Sequence, residues 1–388
     1  MGQGRLTIVS HPCVVAANQA QFAELAAVTG WAITIITPTA LPTEYGLAQS
    51  SRWPAFTGDL VRLPVWGSGH IQRLVYRGLR RAITASQPDA IYVHAEPYSA
   101  SAFQACRVAA RLAIPVGFYS FQNIHKRLPP PFGLMRRYVY RRAAFAVPCS
   151  QTVATVLRSG GWCGPVSIIP PGVEVPARPL APPSTPTLGY VGRLSPEKGV
   201  DVLLRAAARL GSAVDCIVIA GDGPDAATLR AAADGLGLGD RVQWLGYVPH
   251  DQIANSYREM SVLVVPSRAT PGWTEQFGRV IIEALAHGVP VVASDTGEMP
   301  NLLATTGGGR IFPDGDDAAL ADVLQPMLND VTKVRQEAQS ARAIVKGHFS
   351  HRAVAEALAG AIRSGSAGRL GQPEVAATHE MSPKPSAR

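Results

Sequence analysis

The chain of 388 residues carries a net charge of +8, with 47% hydrophobic and 16% charged residues. These proportions exclude a disordered chain, and the length suffices for two domains that each bury a core. No uninterrupted apolar run approaches the roughly 18 to 20 residues of a membrane-spanning helix, and Met1-Gly2-Gln3-Gly4-Arg5 runs at once into the strand-like Leu6 to Ser10, which is too short for a signal-peptide core. The expected place of action is the cytoplasm. Five scattered cysteines (Cys13, Cys106, Cys149, Cys163, Cys216) with no Cys-x-x-Cys pair argue against a disulfide framework or structural zinc, and read as buried free thiols.

In chain order, the first strand-like runs are Leu6 to Ser10, Ala32 to Thr37, Ile91 to His94, Val116 to Ser120 and Phe145 to Cys149, alternating with helical patterns. Alternation of this kind predicts a parallel sheet covered by helices on both faces. Charge is unevenly shared. Residues 1 to 173 hold 16 Lys+Arg against 5 Asp+Glu, while the remainder holds 20 against 23, so the first half is the one suited to an anion. Its cations gather in two helix-like stretches. Arg73, Arg77, Arg80 and Arg81 fall within Ile71 to Ala85, where Ile71, Leu74, Val75 and Leu79 give an apolar face; Lys126, Arg127, Arg136, Arg137, Arg141 and Arg142 form the second. A basic amphipathic face suits either solvent or anionic lipid headgroups, so an anionic membrane surface is a candidate partner. Nucleic acid is not expected, because no recognition motif or aromatic platform accompanies the charge.

Seven prolines between Pro170 and Pro186 are incompatible with helix or central sheet and mark an extended linker. Beyond it come Leu188 to Val191, Cys216 to Ala220, Val242 to Leu245, Val262 to Val265 and Val289 to Ala293, a second alternating set. The predicted organisation is a first domain over 1–175, a linker over 176–186, a second domain over 187–345, a C-terminal helix over 346–366 that can pack back on the first domain, and a disordered tail over 367–388. Ligands of such sheets sit at the carboxyl ends of the strands, and two sheets facing one another leave a cleft between domains.

Three segments of the second domain carry candidate chemistry. After the strand ending at Gly192, Arg193 and Lys198 stand five residues apart and can converge on one anion; a surface turn with solvated charges is the competing reading. Glu275 and Glu283 bracket Phe277-Gly278 and the first turns of a helix that runs to a Gly-Val-Pro-Val-Val-Ala strand signal. A helix start offers unpaired N–H groups to a phosphate, and Glu283 stands about 6 to 8 Å further along the axis, in reach of a sugar ring attached to it. A helix cap and an ordinary exposed glutamate are the alternatives. Asp314-Gly315-Asp316-Asp317 has an Asp-x-Asp spacing, but its position before Ala318-Ala319-Leu320 reads as a turn and N-cap rather than a metal site.

Taken together, Gly192-Arg193-Leu194 with Glu197-Lys198-Gly199, Ile219-Ala220-Gly221-Asp222-Gly223-Pro224, Leu245-Gly246-Tyr247-Val248, Val265-Pro266-Ser267 and the Glu275–Glu283 stretch resemble the family 4 retaining glycosyltransferases of the GT-B fold. The first domain resembles the family less closely. The resemblance implies an α/β chain of two doubly wound Rossmann-like domains facing a central cleft. It implies that Gly192, Arg193 and Lys198 hold the donor diphosphate and that Glu283 binds the ribose. Glu275 and the backbone of Phe277 and Gly278, beside Arg279, would hold the donor sugar and distal phosphate, and Gly246, Tyr247 and Val248 would contact the base. Ordinary packing is the other reading of Tyr247.

Family members commonly place a histidine of the first domain near the anomeric carbon. His125, in Phe121-Gln122-Asn123-Ile124-His125, is the leading candidate, with His94 and His11 competing. The expected activity is therefore metal-independent, cofactor-free retaining transfer from a nucleotide diphosphate sugar to a hydroxyl of a lipid-linked or cell-surface glycan, or of a small molecule. The alternatives are a nucleotide-sugar epimerase of the same fold and a non-catalytic nucleotide-sugar-binding module.

Overall fold

The computed structural model describes residues 4–43, 46–249, 252–366 and 370. The expected tail over 367–388 lies outside the described residues apart from Leu370. The first domain contains β1 (Arg5–Ser10), β2 (Ala32–Pro38), β3 (Ala40–Thr43), β4 (Gly46–Gln49), β5 (Asp59–Leu63), β6 (Val65–Trp66), β7 (Val75–Tyr76), β8 (Ala90–His94), β9 (Val116–Ser120) and β10 (Phe145–Pro148). Six of them form a parallel sheet in the order β10-β9-β8-β1-β2-β5, while β3 with β4 and β6 with β7 make two short antiparallel pairs. The second domain contains β11 (Thr187–Val191), β12 (Cys216–Ala220), β13 (Val242–Gly246), β14 (Val262–Val265), β15 (Val291–Ser294) and β16 (Gly309–Phe312), all parallel, in the order β13-β12-β11-β14-β15-β16. Both sheets share one plan. In each, the first strand is central, and the chain then reverses its direction of growth to leave a crevice between β1 and β8 and another between β11 and β14.

The central strands are apolar throughout because helices cover both faces. Val262–Val265 and Val291–Ser294 are fully buried, for example. The sequence did not reveal the short pairs β3 with β4 and β6 with β7. Within the two six-stranded sheets, the two strands that it did not reveal, β5 and β16, lie at sheet edges. Their half-exposed faces require no continuous apolar run, so their sequence signal is weak.

The expected helix over Ile71 to Ala85 is a correction. The chain there makes a 3-10 turn (Ile71–Arg73), then β7, and only then a helix (Leu79–Ser86). Gln104 explains the break: its side chain accepts from the Tyr76 N–H at 3.0 Å and donates to the Tyr76 carbonyl at 2.7 Å. That pairing occupies backbone groups a helix would need, and Leu74 and Tyr76 are buried as a result. The second basic stretch does contain a helix, Phe132–Arg142. Of the cysteines, Cys13, Cys106 and Cys149 are buried free thiols as expected, whereas Cys163 is exposed and Cys216 half-buried.

The chain passes between the domains twice, and the two passages lie side by side. The Val173 N–H donates to the Phe349 carbonyl at 2.8 Å, and the His351 N–H donates to the Val173 carbonyl at 3.2 Å. Ser350 sits at the crossing and caps the last helix (His351–Gly365), its hydroxyl accepting from Ala353 N–H at 3.2 Å. That helix packs on Ala20–Thr29 of the first domain, burying Val354, Ala355, Leu358 and Ile362 against Phe22 and Leu25.

Proline-rich residues between the sheets are tied to the second domain by two arginines of the helix Val331–Phe349. Arg335, 4% exposed, donates to the carbonyls of Gly288 at 3.1 Å, Leu180 at 3.3 Å and Met260; Arg342 donates to those of Ala286 at 2.9 Å and Pro176. Burial lowers the Arg335 guanidinium to about 10.

Gly199 illustrates how tightly the loops above the second sheet are stacked. Its φ is +67°, and a Cβ there would lie 2.0 Å from the Pro266 carbonyl oxygen. Both the left-handed conformation and a backbone clash oppose any side chain. Gly199→Ala should cost about 2 to 4 kcal/mol, read as a fall in the urea midpoint; a midpoint equal to the parent's would contradict this packing.

Candidate active site

The loops following β11 and β14 flank the crevice of the second sheet and hold most of the residues singled out in that domain. The Tyr190 hydroxyl donates to the Arg193 carbonyl at 2.7 Å and fixes the turn after Gly192, leaving the Arg193 side chain exposed. Lys198 ends a 3-10 turn (Pro196–Lys198), two residues before the helix Val200–Leu210. Its ammonium lies 2.7 Å from Glu275 Oε2 and 4.7 Å from the centre of the Trp273 ring. Glu275 Oε2 also accepts from Ser267 Oγ at 3.3 Å. Lys198 and Glu275, 77 residues apart, thus form one ion pair whose side chains are 24% and 14% exposed.

Two residues further on, Phe277 is buried and Gly278 takes φ +80° as the N-cap of the helix Arg279–Ala286. No acidic residue occupies the first turn, so its N–H groups and the positive end of the helix meet no neighbouring carboxylate of their own turn. Glu283 is on this helix and only 8% exposed. One carboxylate oxygen accepts from the Tyr257 hydroxyl at 3.0 Å, and the other lies 2.8 Å from Arg279 Nε. Burial and the Glu283 charge push the Tyr257 hydroxyl well above its usual range, so Tyr257 stays a donor. Gly246 closes β13, and Tyr247 beyond it is 51% exposed.

The first domain faces this region with a cavity of about 290 Å³ at the carboxyl ends of β1, β8 and β9. His11, Asn18, His94, Glu96 and Tyr119 line it from the first domain, and Arg279 lines it from the second. Pro171, Gly172 and His351 complete the wall from the two crossing segments. His94 sits at 4.5 Å from the Tyr119 ring and 3.3 Å from Ser10 Oγ. Burial, with His11 nearby, lowers the His94 imidazole to about 3; burial alone lowers His11 to about 4. Both rings are therefore neutral at pH 7 and can exchange hydrogen bonds with hydroxyl groups. Burial pushes the Glu96 carboxyl up to about 7, although the Phe121 N–H and Ser120 hydroxyl donate to it at 2.6 and 2.8 Å.

His125 stands elsewhere. It is exposed, 3.0 Å from Ser159 Oγ, beside a smaller pocket lined by Tyr98, Gln122 and Lys126. The structure thus brings Lys198, Glu275, Phe277 and Gly278 together, starts the helix at Arg279 with Glu283 one turn further along, and gathers His11 and His94 in the opposing cavity. Asp316 caps the helix Asp317–Asn329, accepting from Ala318 and Ala319 N–H at 3.0 and 2.9 Å, while Asp317 pairs with Arg205 and Arg209. Sequence reasoning missed Tyr257, Trp273 and Glu96, whose partners are distant in the chain, and passed over Asn123 in a loop it had already marked.

Known proteins of similar sequence and structure agree on the class. The profile described as Glycosyltransferase Family 4 matches residues 20–175, and that described as Glycosyl transferases group 1 matches residues 174–344. A 2-deoxystreptamine glucosyltransferase of Streptomyces kanamyceticus is 26% identical over 79% of this chain and 77% of its own length. A D-inositol 3-phosphate glycosyltransferase of Nocardia farcinica is 33% identical over 50% of this chain and 46% of its own. With several further relatives, too, the match spans only about half of their length or less. Among solved structures, Anabaena HepE in complex with UDP superposes with a TM-score of 0.72 at 18% identity, covering 93% of this chain and 100% of the other. That likeness establishes the fold as GT-B.

The neutral histidines have a thermodynamic consequence. Unfolded, each imidazole titrates near 6.5. Because the folded values lie below this, the unfolded chain takes up protons first as pH falls, and stability present above about 6.5 is lost progressively toward pH 4. His94→Phe, which keeps a ring beside Phe22, Tyr92 and Tyr119, should show a shallower fall of Tm between pH 6.5 and 4.5; parallel profiles for variant and parent would refute the assignment.

Proposed function

The chain belongs to the family 4, group 1 glycosyltransferases, and from that membership we propose that it moves a sugar from a nucleotide diphosphate sugar to a hydroxyl acceptor with retention at the anomeric carbon. The observation that carries the proposal is the Lys198–Glu275 pair beside the helix start at Gly278, faced across the cleft by the cavity that Arg279 closes. Positive charge for the diphosphate would come from Lys198, Arg193 and the N–H groups of the Arg279–Ala286 helix. Departure of the diphosphate would build negative charge that these groups stabilise, which is catalysis by preorganised electrostatics. No metal or cofactor enters this proposal.

Glu275 would orient the transferred sugar rather than attack it. Its carboxylate oxygen is already engaged by the Lys198 ammonium at 2.7 Å, and that charge-assisted hydrogen bond ties up the lone pair an attack would need. Glu283 would take the ribose hydroxyls, with Tyr257 and Arg279 fixing its carboxylate in one orientation. Gly246, Tyr247 and Val248 would flank the base. The attacking hydroxyl would approach from the leaving-group side, and a phosphate oxygen would take its proton. UDP sugars are the first donors to try, because Anabaena HepE has been solved with UDP and with UDP-glucose.

The acceptor would place one hydroxylated ring in the 290 Å³ cavity, where the neutral His11 and His94 can hydrogen-bond to it. His125, at the neighbouring pocket, would meet the part of the acceptor that extends outward. A glycan carried at an anionic membrane surface fits the surroundings. From Pro97 to Val173 the sequence has nine Lys and Arg and no Asp or Glu. On the helix Phe132–Arg142, Leu134, Arg137 and Arg141 follow at i, i+3 and i+7 and are all exposed, with Leu134 at 65%. No helix among the described residues is long and apolar enough to cross a membrane.

Glu275→Ala should reduce sugar transfer by about 100-fold or more while leaving the thermal transition near that of the parent. Near-normal turnover would remove Glu275 from the site. The membrane reading predicts flotation with vesicles containing phosphatidylglycerol, release of the protein by salt, and weaker flotation of the Arg137→Ser, Arg141→Ser double variant. A protein that stays at the bottom of the gradient with such vesicles would overturn the membrane reading.

A further inference from the structure

The loop that leaves β9 reaches the second domain with Phe121, which packs against the second core, and with one polar side chain. Asn123 is 6% exposed, and its amide Nδ2 donates to the Glu275 carbonyl at 3.1 Å and lies 3.5 Å from the Thr274 carbonyl. Both partners are carbonyl oxygens, which only accept, so the side-chain NH2 must face them. The same Glu275 carbonyl accepts the Glu298 N–H at 3.3 Å from the opposite side. Glu275 is therefore held at two ends by different domains: its carboxylate by Lys198 and Ser267 of its own domain, and its backbone by an amide of the other.

The loop carrying Asn123 is itself fixed from behind. Glu96, after β8, accepts from the Phe121 N–H and the Ser120 hydroxyl. Next to it, the Tyr98 hydroxyl donates to Gln122 Oε1 at 3.2 Å, and Gln122 Nε2 donates to the Ile124 carbonyl at 2.8 Å. Anchors on residues 120, 121 and 122 leave the Asn123 amide little freedom. We propose that Asn123 is a positioning residue: through its amide the first domain sets the backbone of Glu275, so that the sugar-orienting carboxylate reaches its working place only when the two domains are closed on each other. The effect on turnover rests on the glycosyltransfer reading given above; the mechanical coupling does not.

Two substitutions separate a donor from a space-filler. Asn123→Ala removes the amide, and Asn123→Asp keeps its shape at pH 8 but sets a carboxylate oxygen against two carbonyl oxygens. Hydrogen exchange on the full chain tests the coupling without any substrate. Faster exchange across 273–281 and at the Glu298 amide in both variants, with the Asp variant at least as affected as the Ala variant, is the expected result. Exchange in either variant equal to the parent's overturns the proposal. In turnover assays with a nucleotide sugar that the parent consumes, kcat should fall about tenfold or more in both variants while the donor KM changes less than about threefold. An Asn123→Asp variant with the parent's kcat also overturns it, because packing alone would then suffice. If the parent consumes no nucleotide sugar while exchange responds as described, the glycosyltransfer reading fails and the Asn123 coupling stands.

Discussion

The arrangement of the molecule depends on the place where the chain crosses between domains twice. Val173 donates to Phe349 and accepts from His351, so the outgoing and returning segments are hydrogen-bonded to each other. These crossing segments, with Pro171, Gly172 and His351, wall the cavity that the carboxyl ends of β1, β8 and β9 share with Arg279 of the second domain. The last helix extends the constraint by packing on Ala20–Thr29, which makes His351–Gly365 part of the first core. Arg335 and Arg342 hold the proline-rich segment down through its carbonyls, so it serves as a clamp on the second domain instead of a free tether.

That geometry explains how residues of opposite chain halves share one site. Arg279 belongs to a helix of the second domain, yet it closes a cavity built from His11, His94 and Glu96 of the first. The cavity itself is a property of a doubly wound sheet, since the loops after β1 and β8 diverge where the strand order reverses. The second sheet repeats the arrangement with the loops after β11 and β14, and there the divergence leaves room for Lys198 and Glu275 to meet. Two copies of one topological device thus supply the two halves of the proposed transfer site.

Charge is distributed with the same economy. Each glutamate singled out in the second domain has a cation and a hydroxyl as partners: Lys198 and Ser267 for Glu275, Arg279 and Tyr257 for Glu283. A largely buried carboxylate without such partners would be neutralised by protonation. Opposite them, the histidines and Glu96 of the first domain are driven toward their neutral forms by burial. The cleft therefore has ion-paired carboxylates on the side expected for the donor, and two neutral imidazoles beside Glu96 on the side expected for the acceptor.

The amino-acid sequence by itself determined the fold class and the local conformations of the segment proposed to hold the donor. Apolar strand runs at regular spacing require parallel sheets, and the short motifs from Gly192 to Glu283 keep their local conformations because glycines and a helix start act over a few residues. It did not determine the edge strands β5 and β16, whose faces are half exposed, or the break near Tyr76, which Gln104 imposes from 28 residues away. Nor did it tell which polar residue of the loop after β9 crosses the cleft. Asn123 rather than His125 faces Glu275, because Glu96 and Tyr98 fix the loop's path and Ser159 takes the imidazole. Only tertiary structure decided these contacts, since each joins residues far apart in the chain, where the path of the intervening segments and not local preference sets the distance.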